Sequence, residues 1–93
     1  MKYMLRSKPY NYNIIGQRIA EMRKAQNMSA DELCDKLALF GISIGWYRLS
    51  LWENQEADIY DFEILALAKA LDVSVESLFI GLNDPRLRYN YFD

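Results

Sequence analysis

An all-α domain of five short helices is what this chain of 93 residues predicts, and three observations carry that expectation. Apolar residues recur at three- and four-residue spacing in several separate segments, as they do in helices with one inward face. A Ser-x-x-Glu box at Ser29 and Glu32 marks a helix start. The stretch DFEILALAKAL at residues 61–71 is made of strong helix formers, with acids in its first turn where the helix dipole favours them.

The elements follow in order. Residues 1–13 hold Pro9, the run Tyr10 to Asn13 and the bases Lys2, Arg6 and Lys8 without an acid, which reads as a flexible basic arm. The domain proper spans residues 14–81. Ile15, Ile19 and Met22 line one face of a first helix from Ile14 to Gln26, with Arg18, Glu21, Arg23 and Lys24 on the polar side and Asn27 ending it. The second helix, capped by Ser29, turns Leu33, Leu37 and Phe40 inward. Gly41 suits the positive φ that closes a helix, and Ile42-Ser43-Ile44 reads as a turn buried on its apolar side.

In the third helix Leu49 and Trp52 face inward together, and Tyr47, Ser50, Leu51 and Asn54 project from the other face. Trp46, a turn earlier, either folds onto the core edge beside Leu49 or stands out as a contact residue. Gln55 to Tyr60 is an acidic loop, Asp61 to Leu71 the fourth helix, and Ser74 caps a short fifth helix carrying Val75, Leu78 and Phe79 before Gly81. Asn83 to Pro85 is a turn signal. In the tail, residues 82–93, Tyr89, Tyr91 and Phe92 come in near alternation, either as an extended segment pairing with another chain or as a frayed end.

Composition removes much chemistry. With no histidine and a single cysteine, Cys34, the chain cannot supply a His-based catalytic triad, a Cys/His zinc cage or an internal disulfide. Thirteen acids spread over short helices read as a solvated face, and a domain this small rarely encloses a substrate pocket. The expectation is a protein that is not an enzyme and carries no metal or cofactor. No window approaches the ~20 consecutive apolar residues of a membrane span, and residues 1–13 lack a secretory signal, so a cytoplasmic location without membrane contact is expected.

The net charge of −2 hides a split. Residues 1–50 carry eight bases against four acids, whereas residues 51–93 carry three bases against nine acids, five of which (Glu53, Glu56, Asp58, Asp61, Glu63) follow one another without an intervening base. A polyanion would have to approach the first half.

The segments IGQRIAEMRKAQNMSADEL and DFEILALAKALDVSVESLF, with Trp52-Glu53-Asn54 closing the third helix between them, resemble the phage repressor and Cro type of helix-turn-helix domain, the XRE family. The resemblance covers Ile15 to Phe79 and implies a lambda-repressor-like fold. The chain between Leu37 and Leu49 is longer than in the most compact repressors, and GISI followed by Leu49, Ser50, Glu53 and Asn54 is similar to a longer subgroup. The resemblance implies an internal ion pair between Arg23 and Glu53, and it places Cys34 at a small buried position of the second helix, a packing residue before a reactive thiol.

It also implies a sequence-specific transcriptional regulator that binds double-stranded DNA as a homodimer, with the third helix in the major groove. The residues matching the DNA-contacting positions are Trp46, Tyr47, Arg48, Ser50, Leu51 and Asn54, assisted by Lys36 and by Lys2, Arg6 and Lys8 of the arm. The pattern departs from the family in two respects. Tyr47 and Leu51 offer apolar contact to thymine methyls where bidentate side chains would add ~1–3 kcal/mol of discrimination each. Ala30 stands where a phosphate-binding glutamine is usual, and Gln55-Glu56-Ala57-Asp58 replaces a basic loop. Those departures motivate a second reading, a helix-turn-helix fold turned into a protein-binding module such as an anti-repressor or regulatory subunit, anchored by Tyr47, Leu51 and Trp46. The aromatic tail and the helix around Phe79 are the candidates for dimerisation.

Overall fold

A computed structural model describes residues 12–80 of the chain. They are all-helical: α1 (Gly16–Ala25), α2 (Ala30–Leu39), α3 (Trp46–Glu53) and α4 (Asp61–Ala70), followed by one 3-10 turn at Glu76–Leu78. Among the described residues there is no strand, and no helix is long and apolar enough to cross a membrane. The basic arm and the tail fall outside this range, apart from Tyr12 and Asn13, as do Lys2, Arg6, Lys8, Gly81 and Asn83 to Pro85.

Each helix ends in the same device. At the close of α1 the Asn27 N–H donates to Lys24 O and the Met28 N–H to Arg23 O. The same pair of bonds recurs at Gly41 and Ile42, at Gln55 and Glu56, and at Asp72 and Val73. This is the Schellman closure, in which one residue in the left-handed region lets the chain double back onto the last carbonyls. Its φ values are 55° at Asn27, 90° at Gly41, 62° at Gln55 and 57° at Asp72. A side chain in that region costs about 1–2 kcal/mol, less for Asn and Asp, so Gln55 bears the largest strain of the four. It also has a compensation, because its Nε2 donates to Asn13 O at 3.0 Å.

The starts differ more. Ser29 Oγ accepts from the Glu32 N–H at 3.1 Å while Glu32 Oε1 accepts from the Ser29 N–H at 2.7 Å, the reciprocal box read from the sequence. At α4 a buried Glu63 accepts from the Tyr60 N–H at 2.7 Å. α1 begins two residues later than its periodicity implied, and Asn13 Oδ1 accepts from the Ile15 N–H at 3.2 Å just ahead of it.

The core joins Ile15 and Ile19 of the first segment to Leu33, Cys34 and Leu37 of α2, Leu49 and Trp52 of α3, and Ala66, Leu67 and Leu71 around α4. α3 packs on both α1 and α2, and α2 packs also on α4. Two expectations need correction. Phe40, assigned to the inward face of α2, is 45% exposed, because it caps that helix and the chain reverses at Gly41 so that Ile42 enters the core in its place. The fifth helix is a single 3-10 turn instead. Ser74 does accept from the Ser77 N–H, but the bonds that follow, Leu78 N–H to Val75 O and Phe79 N–H to Glu76 O, span three residues and not four. Arg18 Nε donates to Ser77 O at 3.1 Å. Leu78 is fully buried, Phe79 half-buried, and Val75 lies outside the core.

Candidate nucleic-acid interface

α3 is fixed from behind by three sets of contacts. Leu49 and Trp52, three residues apart, are both fully buried. Glu53, the next residue, meets Arg23 of α1 in a two-pronged ion pair, Nε to Oε2 at 2.7 Å and Nη2 to Oε1 at 3.0 Å, with the two side chains only 13% and 12% exposed. The third prong of the same guanidinium, Nη1, donates to Met28 O at 2.9 Å, so one side chain ties the end of α1, the turn before α2 and the end of α3 together. Its bond to Glu53 pushes the Arg23 pKa up further, against the opposing effect of burial.

The third set comes from Asn13. Its Nδ2 donates to Trp52 O at 2.8 Å and to Ala57 O at 3.0 Å, closing the exit of α3 and the first half of the acidic loop. The approach is close enough that a Cβ on Gly16 would overlap the Trp52 carbonyl oxygen. Only glycine fits there.

The opposite side of α3 is open. Trp46 is 62% and Tyr47 64% exposed, their rings meeting edge to face with centroids 5.9 Å apart. Trp46 therefore stands out from the core edge beside Leu49. Arg48 and Asn54 are exposed, whereas Ser50 and Leu51 are half-buried. The Ser50 hydroxyl donates to Tyr47 O at 2.7 Å, a local bond within the helix. Gly45, extended at φ −100°, ψ 177°, caps α3 without a side-chain hydrogen bond, so the first N–H groups of the helix end point outward beside Trp46 and Arg48. Lys36 is exposed on α2, and Ala30 is half-buried at its start. Glu56 and Asp58 are exposed just past the end of α3, and among the described residues neither forms an ion pair.

Cys34 is buried, and burial first, then the nearby carboxylates of Asp31, Asp35 and Glu53, push its thiol pKa up. The reactive thiolate is thereby disfavoured, in keeping with a packing role. Among the described residues no group of three or more acids or cysteines is placed to hold a metal ion.

The contacts that sequence reading missed are long-range ones: Asn13 to the end of α3, Gln26 Nε2 to Leu71 O at 2.7 Å and Arg18 to Ser77. Met28, buried at the turn between α1 and α2, was missed too. Compared with known protein families, with curated proteins and with solved structures, the chain matches none.

Proposed function

We propose that the chain is a helix-turn-helix transcriptional regulator that lays the outer side of α3 against double-stranded DNA. One observation carries the reading: α3 is clamped along its inner side and left uncovered along its outer side, where Trp46, Tyr47, Arg48 and Asn54 are exposed around an uncapped helix start. A rigid helix with an open N-terminal end, a cation and flat apolar groups suits a major groove, with free N–H groups and Arg48 meeting phosphate and Tyr47 meeting thymine methyls. Reading two half-sites ~34 Å apart requires two copies, so the binding species is a homodimer. Lys36 and the arm residues Lys2, Arg6 and Lys8 add phosphate contacts to the same duplex.

The test is a titration of a labelled duplex from the sequence upstream of the protein's own coding region at several salt concentrations. Affinity falls steeply as salt rises, and Arg48→Ala weakens binding and lowers the salt slope by about one. No binding even at low salt ends this reading.

The edge-to-face pair Trp46 and Tyr47 favours a second reading, a protein-binding module. Paired exposed aromatics on an uncovered helix side are what a protein contact surface favours. Its mark is a partner protein bound by the wild type and lost in Trp46→Ala, with no response to any duplex.

A further inference from the structure

A second exposed apolar surface lies at the start of α4. Tyr60 and Phe62 are each 59% exposed, their rings stacked 18° from parallel with centroids 6.2 Å apart. Leu65, three residues after Phe62, lies on the same helix face and is half exposed. Asp58 and Asp61 flank this patch, both exposed and neither in an ion pair among the described residues. The patch is thus apolar at its centre and negative at the end where α4 starts, with Lys69 exposed one turn beyond Leu65.

We propose that this face receives the C-terminal segment Arg86–Phe92 of a second copy of the chain, exchanged reciprocally between two protomers. The inference rests on the dimer that the proposed function requires. Three properties select this occupant.

The first is chemistry. Arg86-Leu87-Arg88-Tyr89-Asn90-Tyr91-Phe92 combines two bases with four large apolar side chains and no acid, and is the only such run in the acidic second half of the chain. Its charge and its aromatic content both complement the α4 patch. The second counts against one alternative. Two α4 patches packed with their helix starts together would bring Asp58 and Asp61 of one copy towards the same acids of the other, and like charges at an interface are unfavourable. The third is reach and area. Ile80 is exposed where the described chain ends, and the five residues 81–85 span about 16 Å when extended, enough to carry Arg86 off its own protomer. A buried aromatic side chain covers about 150–250 Å². Tyr89, Tyr91 and Phe92, counted in both copies, cover about 900–1,500 Å² before the α4 faces are added, which meets the ~1,200 Å² of a stable interface.

The experiment is sedimentation velocity on the full chain from low to high micromolar concentration, without DNA. The wild type sediments as a dimer. Phe62→Ser on the face and Tyr91→Ser on the tail each weaken self-association at least tenfold while circular dichroism stays unchanged. Arg86→Glu with Arg88→Glu weakens it as well, and adding Asp58→Lys with Asp61→Lys to that variant restores it. A wild type that remains monomeric at high micromolar concentration overturns the proposal, and so does a dimer indifferent to either serine variant. Duplex binding is measured separately. A dimer with these sensitivities that ignores DNA leaves the interface standing and ends the regulator reading, whereas a DNA-binding wild type that sediments as a monomer ends the interface alone.

Discussion

On its inner side α3 presents Leu49 and Trp52, both without exposed surface, and a Glu53 gripped by Arg23, while on its outer side Trp46 and Tyr47 are each more than three-fifths exposed. One eight-residue helix therefore carries two sets of residues under opposite constraints. The inner set is held by bonds to α1 and to the entering chain and by burial in the core, so its identities are dictated by the fold. The outer set has little to hold it, so its identities are free to answer to something outside the molecule. The contrast is physical and can be broken from either side.

The largest effect is expected at the ion pair. Glu53→Ala leaves the Arg23 guanidinium largely shielded from water with one bond, to Met28 O, in place of three. Stranding one partner of a shielded pair costs about 3 kcal/mol or more, to be read from urea denaturation. Arg23→Met combined with Glu53→Met should cost clearly less than the sum of the two single changes, because neither charge is then left alone. A loss under 1 kcal/mol in Glu53→Ala would mean that α3 is not held by this contact.

Asn13 comes next. Asn13→Ala deprives the Ala57 carbonyl and the Ile15 N–H of a partner and leaves the Trp52 carbonyl with the Gln55 N–H alone. The expected loss is about 2 kcal/mol, within the range for unpaired buried polar groups. Asn13→Asp is the sharper variant, since it keeps an acceptor for the Ile15 N–H but aims a carboxylate at two carbonyl oxygens. It should destabilise more than alanine does, and a milder effect in the same denaturation series would show that Asn13 acts only by filling space.

How far this frame could be read from the sequence depends on the range of each interaction, and the Arg23–Glu53 pair, 30 residues apart, is expected only from the family resemblance. Ser29, Glu32 and Gly41 act on neighbours three to five residues away, so a local pattern of residue types contains the whole interaction. Leu49 and Trp52 are legible for the same reason, because helical spacing alone puts them on one face. Asn13 reaches across 39 and 44 residues, and nothing in the run Tyr10 to Asn13 distinguishes a latch from an arm. Phe40 fits the inward period of α2, but periodicity does not mark where a helix stops. Gln55 adopts a positive φ that its residue type does not favour, and its reason lies in the distant Asn13 carbonyl. For the candidate interface, spacing identified the outward residues of α3, whereas the half-burial of Ser50 and Leu51 depends on how the neighbouring segments pack.

A smaller effect depends on pH. The folded state raises the Cys34 thiol pKa, chiefly through burial, so the unfolded chain loses this proton first. The protonated thiol thus contributes stability in full below the unfolded value of about 8.5, and that contribution is lost as pH rises through the folded pKa. Wild type minus Cys34→Ala isolates the group from the tyrosines and lysines that titrate nearby in pH. The stability difference between them should be flat from pH 6 to 8 and shift against the wild type above pH 9. A difference that stays flat to pH 10 would place the thiol in contact with water.

The smallest expected effect on stability lies on the outer side of α3, and it is the most informative for function. Tyr47→Ala and Arg48→Ala remove exposed side chains from helix positions where alanine has the higher intrinsic propensity. Each should leave the unfolding free energy within about 0.5 kcal/mol of wild type. Against that flat background a loss of duplex affinity, or of a protein partner, is attributable to the contact and not to the fold. If instead either variant unfolds as readily as Glu53→Ala, the two sides of α3 are not independent. An exposed aromatic and an exposed cation would then be bracing the helix, and α3 would lose its standing as a surface free to meet a ligand.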